Sequence, residues 1–183
     1  PAQLVKRFFD KLAGGAEKLL PNFYKGFEKE KGIRMQAIEI LKADSIAEIT
    51  AFDRLCFPLE YWKEADWREL LNDPRAVYYA VRDGGKIIGD VFIYNWQGED
   101  DYVKIMNLAV HPDYRGLGIA HRLLSHVTEE LSKSGMKRFC GDTRASNHAM
   151  QKVFSDCGYR FECVKEHYFE NPAEDGYKYL LVL

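Results

Sequence analysis

The distribution of apolar and polar residues from Met35 onward predicts a succession of short strands and amphipathic helices. Strands are predicted where apolar residues alternate with polar ones or form short runs: residues 37–41, 76–81, 86–94, 102–110, 137–143, 161–168 and 177–182. Helices are predicted where apolar positions recur every third or fourth residue: residues 46–55, 61–71, 118–134 and 146–156. The order β-α-α-β-β-β-α-β-α-β-β predicts an α/β fold in which a mixed sheet carries helices on both faces.

The first 34 residues differ from this pattern. They carry eight Lys or Arg against four Asp or Glu, and their apolar residues share one face of a helix: Leu4, Val5, Phe8, Phe9 and Leu12. We therefore divide the chain into a basic helical extension, residues 1–34, and a domain, residues 35–183. The extension either packs its aromatic side chains on the domain or on a neighbouring subunit, which we favour, or meets a partner or a membrane surface.

Length and charge limit the classes of protein that fit the chain. A chain of 183 residues holds one domain with a sizeable core, and a net charge of −2 gives no reason to expect a nucleic-acid partner. No apolar run approaches the length of a membrane span, and no secretory signal is visible. The four cysteines show no paired or zinc-binding spacing, so we predict reduced thiols, a cytoplasmic location and no metal.

A turn with two glycines stands between the predicted strand that ends at Val110 and the helix that follows. Gly116 and Gly118 let the backbone approach a ligand closely, and the N–H groups of a helix start suit a phosphate or diphosphate. The spacing differs from that of a nucleoside-triphosphate loop, and His121 stands where the dinucleotide fingerprint requires its third glycine. From these residues alone, a turn of purely steric origin is an equally good interpretation.

The turn resembles a motif of the GCN5-related N-acetyltransferase (GNAT) superfamily. Residues 115–120 fit its Arg/Gln-x-x-Gly-x-Gly/Ala pattern, and residues 144–159 resemble the family's later Asn-x-x-Ala helix, which ends in Gly-Phe, here Gly158-Tyr159. The resemblance covers residues 35–183 and implies a central, largely antiparallel and splayed sheet. It also implies transfer of an acetyl group from acetyl-CoA to an amine by direct attack in a ternary complex. Three local segments, residues 56–61, 143–147 and 168–175, resemble the ribosomal-protein (RimI) type of N-terminal acetyltransferase.

The resemblance implies cofactor contacts from one strand, the turn and two helices: Leu108, Ala109, Val110, Arg115, Gly116, Leu117, Gly118, Ile119, Ala120, His121, Asn147 and Phe154. The N–H groups from Gly116 to His121 would hold the pyrophosphate of coenzyme A, with the Arg115 side chain nearby. The backbone of residues 108–110 would pair with the pantetheine arm and place a donor near Val110 at the developing oxyanion. Asn147 is expected to cap its helix or to bond the arm, and the two roles are compatible.

The same resemblance suggests the catalytic and acceptor residues. Asp142 is the candidate base, acting through a water; alternatively it only ends its strand. Phe154 stands where many relatives carry a tyrosine acid, and it is expected to pack on the cofactor arm or in the core. Either catalysis proceeds without that acid, or Tyr168 supplies the proton, or the enzyme is slow. Phe57, Pro58 and Tyr61 are expected to wall the acceptor channel or to pack within their loop.

The acceptor is predicted to be an amine that must lose its proton before it attacks. A protein N-terminus has a pKa near ~8, whereas a lysine side chain has one near ~10.4, so the N-terminus needs less help from a base. An N-terminus of a protein or peptide is therefore the favoured acceptor. The alternatives are a lysine side chain, a small polyamine-like amine, or a weakly active coenzyme A-binding module that regulates a partner.

Overall fold

The computed structural model describes residues 37–95 and 102–183 of the chain. The predicted extension of residues 1–34, with its expected packing or partner contact, lies outside the described residues. Among the helices that are described, none has the length and apolar character needed to cross a membrane.

Seven strands and four helices make up the described part of the chain. The strands are β1 Glu39–Leu41, β2 Ala76–Asp83, β3 Lys86–Tyr94, β4 Val103–Val110, β5 Arg138–Arg144, β6 Arg160–Glu170 and β7 Ala173–Val182. The helices are α1 Ile46–Cys56, α2 Glu64–Asn72, α3 Ile119–Lys133 and α4 His148–Asp156, with single 3-10 turns at Ala43–Ser45 and Pro112–Tyr114. The element order is the one that the apolar pattern predicts.

All seven strands belong to one sheet with the spatial order β1-β2-β3-β4-β5-β7-β6. Neighbouring strands are antiparallel, except that β4 and β5 are parallel. The predicted mixed and largely antiparallel sheet is thus confirmed. The parallel pair stands at the centre of the sheet, and its connection runs through α3, as a parallel crossover requires.

The two faces of the sheet carry separate hydrophobic cores. On one face, α3 buries its apolar stripe, which includes Leu123, Leu124 and Val127, and α4 adds Phe154. On the other face, α1 and α2 bury Ile49 and Trp67 among other residues. Full burial of an aliphatic or aromatic side chain contributes about 1.5–3 kcal/mol, so both layers hold the sheet firmly. The prediction of helices on both faces is therefore confirmed.

The prediction was wrong about the length of the closing strand pair. It ended the first strand at residue 168 and began the second at residue 177, whereas β6 extends to Glu170 and β7 begins at Ala173. Half of the added residues are acidic, namely Glu170, Glu174 and Asp175, and they interrupt the apolar pattern on which the prediction relied. A hairpin at the end of a sheet needs backbone pairing more than side-chain burial, and this one continues the ladder to its tip.

Candidate active site

The turn before α3 has the backbone conformation that its two glycines allow. Gly116 has φ 79° and Gly118 has φ 75°, both in the left-handed region that side chains with a Cβ rarely adopt. A Cβ built on Gly116 would meet no other atom within 4 Å, so the outer side of the turn is open. Both glycines therefore allow the path of the backbone, and Gly116 makes room for no tight packing contact.

Most N–H groups of this turn have no acceptor among the residues that the structure describes. In the described part of the chain, Arg115 N donates to the Pro112 carbonyl at 3.4 Å, and the next backbone N–H with an acceptor is that of Arg122, which donates to the Gly118 carbonyl at 3.0 Å. The six preceding N–H groups, from Gly116 to His121, are left without a partner within residues 37–95 and 102–183. A row of unpaired donors at the start of a helix is suited to a diphosphate. The residues present here therefore fit the diphosphate group of the predicted cofactor.

A third glycine, which the sequence analysis did not single out, fixes where this turn sits on the sheet. A Cβ on Gly89 of β3 would lie 2.6 Å from Ile119 Cγ2 and 3.1 Å from Leu123 Cδ1. Only glycine therefore lets the first turn of α3 approach β3 this closely. The signal in the sequence was a lone glycine inside an apolar strand, which is typical of close backbone approach.

Strands β4 and β5 separate after three residue pairs. Their ladder joins Val103 to Phe139, Lys104 to Cys140 and Ile105 to Gly141, and no pair follows. Beyond Ile105, β4 pairs with β3 alone, as far as Val110. The predicted gap between these strands is present, and it opens beside the turn with the unpaired donors.

The backbone of β4 faces this gap through alternate residues. Ala109 N donates to the Asp90 side chain at 2.8 Å and His111 N donates to the Ile88 carbonyl at 2.9 Å, both on the β3 side. Since backbone groups alternate along a strand, the N–H groups of Leu108 and Val110 point toward the gap. The Arg115 side chain donates to the Val110 carbonyl at 3.3 Å, so it lies at the mouth of the gap.

Two buried carboxylates hold β4 from its other side, and the sequence analysis missed both. Asp90 is fully buried, accepts the Ala109 N–H, and accepts a hydrogen bond from the Tyr78 hydroxyl at 2.5 Å. Burial raises the pKa of Asp90 to about 7, against the lowering effect of the Tyr78 hydrogen bond. The available signal was an acidic residue within the apolar run of β3.

The second carboxylate joins β4 to the loop between α1 and α2. Asp53, which is 3% exposed, accepts from Trp62 N at 2.7 Å and from Asn107 Nδ2 at 3.2 Å. Burial raises its pKa to about 6, although the hydrogen bond from Trp62 N lowers it. Asp53 therefore connects the loop that carries Phe57, Pro58 and Tyr61 to the strand at the gap.

Four polar side chains meet at the point where β4 and β5 separate. Lys104 Nζ lies 3.1 Å from Asp142 Oδ2, and Lys165 Nζ lies 2.8 Å from Asp142 Oδ1. The Tyr168 hydroxyl donates to Asp142 Oδ2 at 3.3 Å and lies 3.4 Å from Lys104 Nζ. The structure thus brings the two predicted catalytic residues together and adds two lysines that the sequence analysis did not foresee.

The lysines change what Asp142 can do. Burial alone would raise the pKa of this carboxyl, but the ammonium groups of Lys165 and Lys104 outweigh burial and hold the pKa below its usual range. In turn, Asp142 outweighs the effect of burial on Lys104 and raises the pKa of that amine. Asp142 is therefore an ionised but weakly basic group, and its role as the base remains a prediction.

Backbone irregularities in the closing hairpin place Tyr168 against Asp142. The register of β6 and β7 shifts between Lys165 and Phe169, and His167 within this bulge has φ 52°. The Tyr168 ring then lies over Gly176 of β7, where a Cβ would be 2.9 Å from its Cδ1. A glycine on β7 and a bulge on β6 are thus both needed for this contact.

Three other predicted site residues have simpler surroundings. Phe154 is 1% exposed and packs in the core, stacked on Tyr179 with 5.1 Å between ring centroids. Of its two predicted positions, the structure therefore has the core and not the surface of the gap. Asn147 caps α4 by accepting from Met150 N at 3.0 Å. Any contact of Phe154 or Asn147 with the cofactor arm remains a prediction.

The residues expected to wall the acceptor channel lie in the α1–α2 loop. Phe57 packs partly against the core beneath α1, and Pro58 is exposed. Tyr61 carries the Arg54 guanidinium 5.5 Å above its ring centroid. Both the channel role and simple loop packing agree with these positions. No group of three His, Cys, Asp or Glu residues able to hold a metal ion occurs in residues 37–95 or 102–183.

Comparison with known proteins identifies related sequences and folds. Residues 44–159 match a family model described as the acetyltransferase (GNAT) family. A protein of Bacillus subtilis (strain 168), provisionally assigned as a ribosomal protein bS18-alanine N-acetyltransferase, is 25% identical over 140 residues. That alignment covers 76% of this chain and 91% of the relative.

Two solved structures share the fold. The ribosomal-protein-S18-alanine N-acetyltransferase of Escherichia coli superimposes with a TM-score of 0.72 and 21% identity, covering 81% of this chain and 94% of that one. Arabidopsis thaliana NAA60 in complex with acetyl-CoA gives a TM-score of 0.71 and 17% identity, covering 82% of this chain and 99% of that one.

Proposed function

The chain belongs to the acetyltransferase (GNAT) family, and from this premise we propose that its acceptor is the α-amino group of a protein or peptide N-terminus. Membership makes the protein an N-acetyltransferase that uses acetyl-CoA and transfers the acetyl group to an amine. The proposal concerns the choice among amines. Similarity to a relative provisionally assigned as a ribosomal protein bS18-alanine N-acetyltransferase supports it.

The observation that carries the proposal is the position of two ammonium groups against Asp142, with Lys104 Nζ at 3.1 Å and Lys165 Nζ at 2.8 Å from its carboxylate oxygens. Its two lysine partners hold its pKa below the usual range, so it removes a proton from an ammonium group poorly. At pH 7, about 10% of an α-amino group is already neutral, against about 0.04% of a lysine side chain, from pKa values near ~8 and ~10.4. The ammonium groups of Lys104 and Lys165 also disfavour a third positive charge beside them, which favours the neutral amine.

The residues of the turn and of β4 account for binding. The N–H groups from Gly116 to His121 hold the pyrophosphate of the co-substrate, and the exposed edge of β4 pairs with its amide-bearing arm. Acetyl-CoA supplies the acetyl group as a thioester. The Val110 N–H points into the gap, where it would donate a hydrogen bond to the acetyl oxygen and stabilise the negative charge that develops there.

The residues at the head of the gap account for the transfer of protons. Tyr168 donates to Asp142, so a proton that leaves the attacking amine through a water can pass along this hydrogen bond: the Tyr168 oxygen takes it as the hydroxyl proton moves to the Asp142 carboxylate. The Phe154 ring has no hydroxyl that could donate a proton to the leaving group. Because a thiol has a pKa near ~8.5, coenzyme A can leave as a thiolate without a proton donor. We also propose a cytoplasmic location, which the four free cysteine thiols support.

The proposal is tested with three acceptors that present different kinds of amine. One peptide begins with a free alanine and lacks lysine, a second differs from it by an acetylated N-terminus and a single substitution to lysine, and the third acceptor is spermidine. Release of free thiol from acetyl-CoA is measured at pH 7 and pH 9. We expect turnover with the first peptide at both pH values and much slower turnover with the others.

Other outcomes contradict the proposal. Faster turnover of the lysine peptide or of spermidine would move the acceptor to that class of amine. Binding of acetyl-CoA by calorimetry without thiol release from any acceptor would instead indicate a coenzyme A-binding module. Mass spectrometry of the first peptide locates the acetyl group and excludes simple hydrolysis.

A further inference from the structure

Arg144, the last residue of β5, contacts two segments that are far apart in the sequence. Its Nη2 donates to Glu60 Oε2 at 2.7 Å, in the loop between α1 and α2. Its Nη1 donates to the Pro172 carbonyl at 2.8 Å, and Nη2 donates to the Asn171 carbonyl at 2.9 Å. Both carbonyls lie at the tip of the β6–β7 hairpin, so one guanidinium bridges the loop and the hairpin.

Two further contacts fix the guanidinium on the hairpin side. Its Cζ lies 4.4 Å from the centroid of the Phe169 ring, and Nη1 lies 3.5 Å from Glu174 Oε2. Glu174 also accepts a hydrogen bond from the backbone N–H of Ser146, just before α4. The Arg144 side chain is 20% exposed, so these contacts are partly shielded from water.

The two bridged segments flank the polar cluster at the head of the gap. The loop carries Phe57, Pro58 and Tyr61, and the hairpin carries Tyr168, whose hydroxyl contacts Asp142. Arg144 follows Asp142 by two residues on the same strand. The distance between the loop and the hairpin, measured across Asp142, is thus set in part by the Arg144 side chain, which extends from β5 between them.

We propose that Arg144 is a positioning residue that fixes the separation of the α1–α2 loop and the β6–β7 hairpin, and through it the access of the acceptor to Asp142 and Tyr168. The proposal rests on the proposed function, because it takes these segments as the two walls of the acceptor channel. Arg144 contacts neither the reacting amine nor the thioester. Its effect is on how well the acceptor is held.

The chemistry of arginine suits this task better than that of lysine. A guanidinium is planar, and its donors reach a carboxylate and two carbonyls in fixed directions while its face rests on an aromatic ring. A lysine ammonium keeps the charge but cannot keep all of these contacts in one geometry. Arg144→Lys is therefore an informative conservative variant, and Arg144→Met removes the charge while keeping a flexible stem.

The first measurement separates acceptor binding from chemistry. We expect Arg144→Met to raise the KM for an N-terminal peptide by about tenfold to 100-fold, the equivalent of one or two charge-assisted hydrogen bonds. The expected change in kcat is much smaller, and the Kd for acetyl-CoA from calorimetry stays at the wild-type value. Arg144→Lys should fall between the wild type and Arg144→Met.

A matched control is another arginine that bridges elements far from the channel. Arg82 on β2 pairs with Glu39 of β1 and Glu48 of α1, and Nη1 donates to the Gly85 carbonyl at 2.6 Å. Arg82→Lys and Arg82→Met lose a comparable set of contacts at the other end of the sheet. We expect neither of them to change the KM for the peptide.

The second measurement does not depend on activity. Hydrogen–deuterium exchange of the free protein should be faster in residues 57–63 and in residues 168–175 of Arg144→Met, and unchanged there in Arg82→Met. Glu60→Gln, which removes only the loop partner, should loosen residues 57–63 and leave the hairpin as it is. Together these variants show whether the guanidinium joins both segments.

The outcomes distinguish this proposal from the proposed function. If the wild type fails to acetylate N-terminal peptides, the proposed function is wrong, while exchange still decides whether Arg144 joins the two segments. Unchanged exchange in both segments, or an unchanged KM in an active enzyme, overturns the positioning role. A loss of acetyl-CoA affinity equal to the loss of acceptor affinity also overturns it, because a general structural defect would explain both.

Discussion

The two sides of the gap between β4 and β5 differ in the groups that they present: main-chain groups on one side and side chains on the other. On the side proposed for the cofactor, the available groups are main-chain donors: the N–H groups of Leu108 and Val110 point toward the gap, and those from Gly116 to His121 have no acceptor within the described residues. On the acceptor side, charged and phenolic side chains from three strands meet at one carboxylate, Asp142. A substitution in the turn or β4 can impair the main-chain donors only by changing the path of the backbone or by filling the space beside it. A substitution in the Asp142 cluster changes the charge of the cluster directly.

This difference also separates binding from chemistry. Main-chain donors keep the same charge at every pH, so they suit a ligand such as a diphosphate that stays anionic. The acceptor-side cluster titrates, and the lysines set the pKa of its carboxyl. We therefore expect variants of the turn to lose affinity at all pH values and variants of the cluster to lose turnover in a pH-dependent manner.

The largest expected effect comes from Gly118→Glu. The substitution forces a side chain into a left-handed conformation, φ 75°, and adds a negative charge where the N–H groups converge. Since one charge-assisted hydrogen bond contributes about 1.5–3 kcal/mol, we expect the affinity for acetyl-CoA to fall by about 100-fold or more. Calorimetry of acetyl-CoA binding at pH 6, 7 and 8 measures the loss.

Gly135→Glu is the matched control for this variant. Gly135 follows α3, has φ 99°, and a Cβ there would meet no atom within 4 Å. The Gly135→Glu variant therefore imposes comparable backbone strain and adds the same charge at the opposite end of α3. Equal losses of acetyl-CoA affinity in the two variants would show that strain, and not the turn as an anion site, explains the effect.

The next largest effect is expected from Asp142→Asn, on the acceptor side. Loss of a proton-accepting group costs about 10²–10⁴-fold in rate, and the weak basicity of Asp142 places it at the lower end. The loss should be greatest near pH 7, where most of the acceptor is an ammonium ion, and should shrink toward pH 9, where the amine is already neutral. The kcat for an N-terminal peptide is measured across this range together with the Kd for acetyl-CoA.

Glu162→Gln provides the control for a carboxylate paired with lysine outside the gap. Glu162 on β6 lies 2.7 Å from Lys178 Nζ. The control should leave both kcat and its pH profile as in the wild type. A pH profile of Asp142→Asn with the wild-type shape would remove Asp142 from proton transfer and leave it the role of ending its strand.

The two sides also differ in how far the sequence predicts them. The strand, turn and helix of the cofactor side are contiguous, so local patterns and a family motif locate them. Lys104 and Lys165 stand far apart in the sequence, and only the parallel β4–β5 pair and the β6–β7 hairpin bring them to Asp142. Nothing in a local pattern reports such a meeting, which is why the lowered pKa of Asp142 was not predicted.

The buried carboxylates illustrate a second limit. Asp90 was visible as an acidic residue in an apolar strand, yet its hydrogen bonds to Tyr78 and Ala109 depend on the register of β2, β3 and β4. Periodicity locates a strand but not its register at a bulge, and the β3–β4 register shifts between Phe92 and Ile93. The elements were therefore predictable, and the polar contacts that tie them together were not.

Asp53→Asn tests the link between the two sides, since Asp53 joins Trp62 of the acceptor loop to Asn107 of β4. Its carboxyl has a pKa near ~4 when unfolded. In the fold the pKa is about 6. Between about pH 4 and pH 6, the folded state therefore binds more protons than the unfolded state. The free energy of unfolding of the wild type should decline as the pH rises through this range.

The variant should lose this decline, which amounts to about 3 kcal/mol for a shift of this size. Urea unfolding at pH 4, 5, 6 and 7 measures the difference between wild type and variant. Asp113→Asn is the control, since the Asp113 side chain is 81% exposed. A difference that stays constant between pH 4 and pH 7 would show that Asp53 does not titrate in the expected range.

The smallest effect on activity is expected from Phe154→Tyr, which adds a hydroxyl to a ring that is buried in the core. The para carbon of Phe154 lies so close to Gly141 that a Cβ there would be only 2.5 Å from it, so a hydroxyl is forced against β5 where the ladder ends. Overpacking of this kind costs about 1–3 kcal/mol of stability. Since a thiolate leaves without a proton, we expect kcat to rise by less than about tenfold.

Phe139→Tyr separates the cost of a buried hydroxyl from any gain in chemistry. Phe139 is fully buried in the same core and lies two residues before Gly141 on β5. Both variants should lose stability in urea unfolding, and neither should change kcat strongly. A rise in kcat of about 100-fold in Phe154→Tyr alone would match the usual contribution of a general acid. It would show that the lack of an acid at this position limits turnover, and that the chemistry of the acceptor side depends on more than the Asp142 cluster.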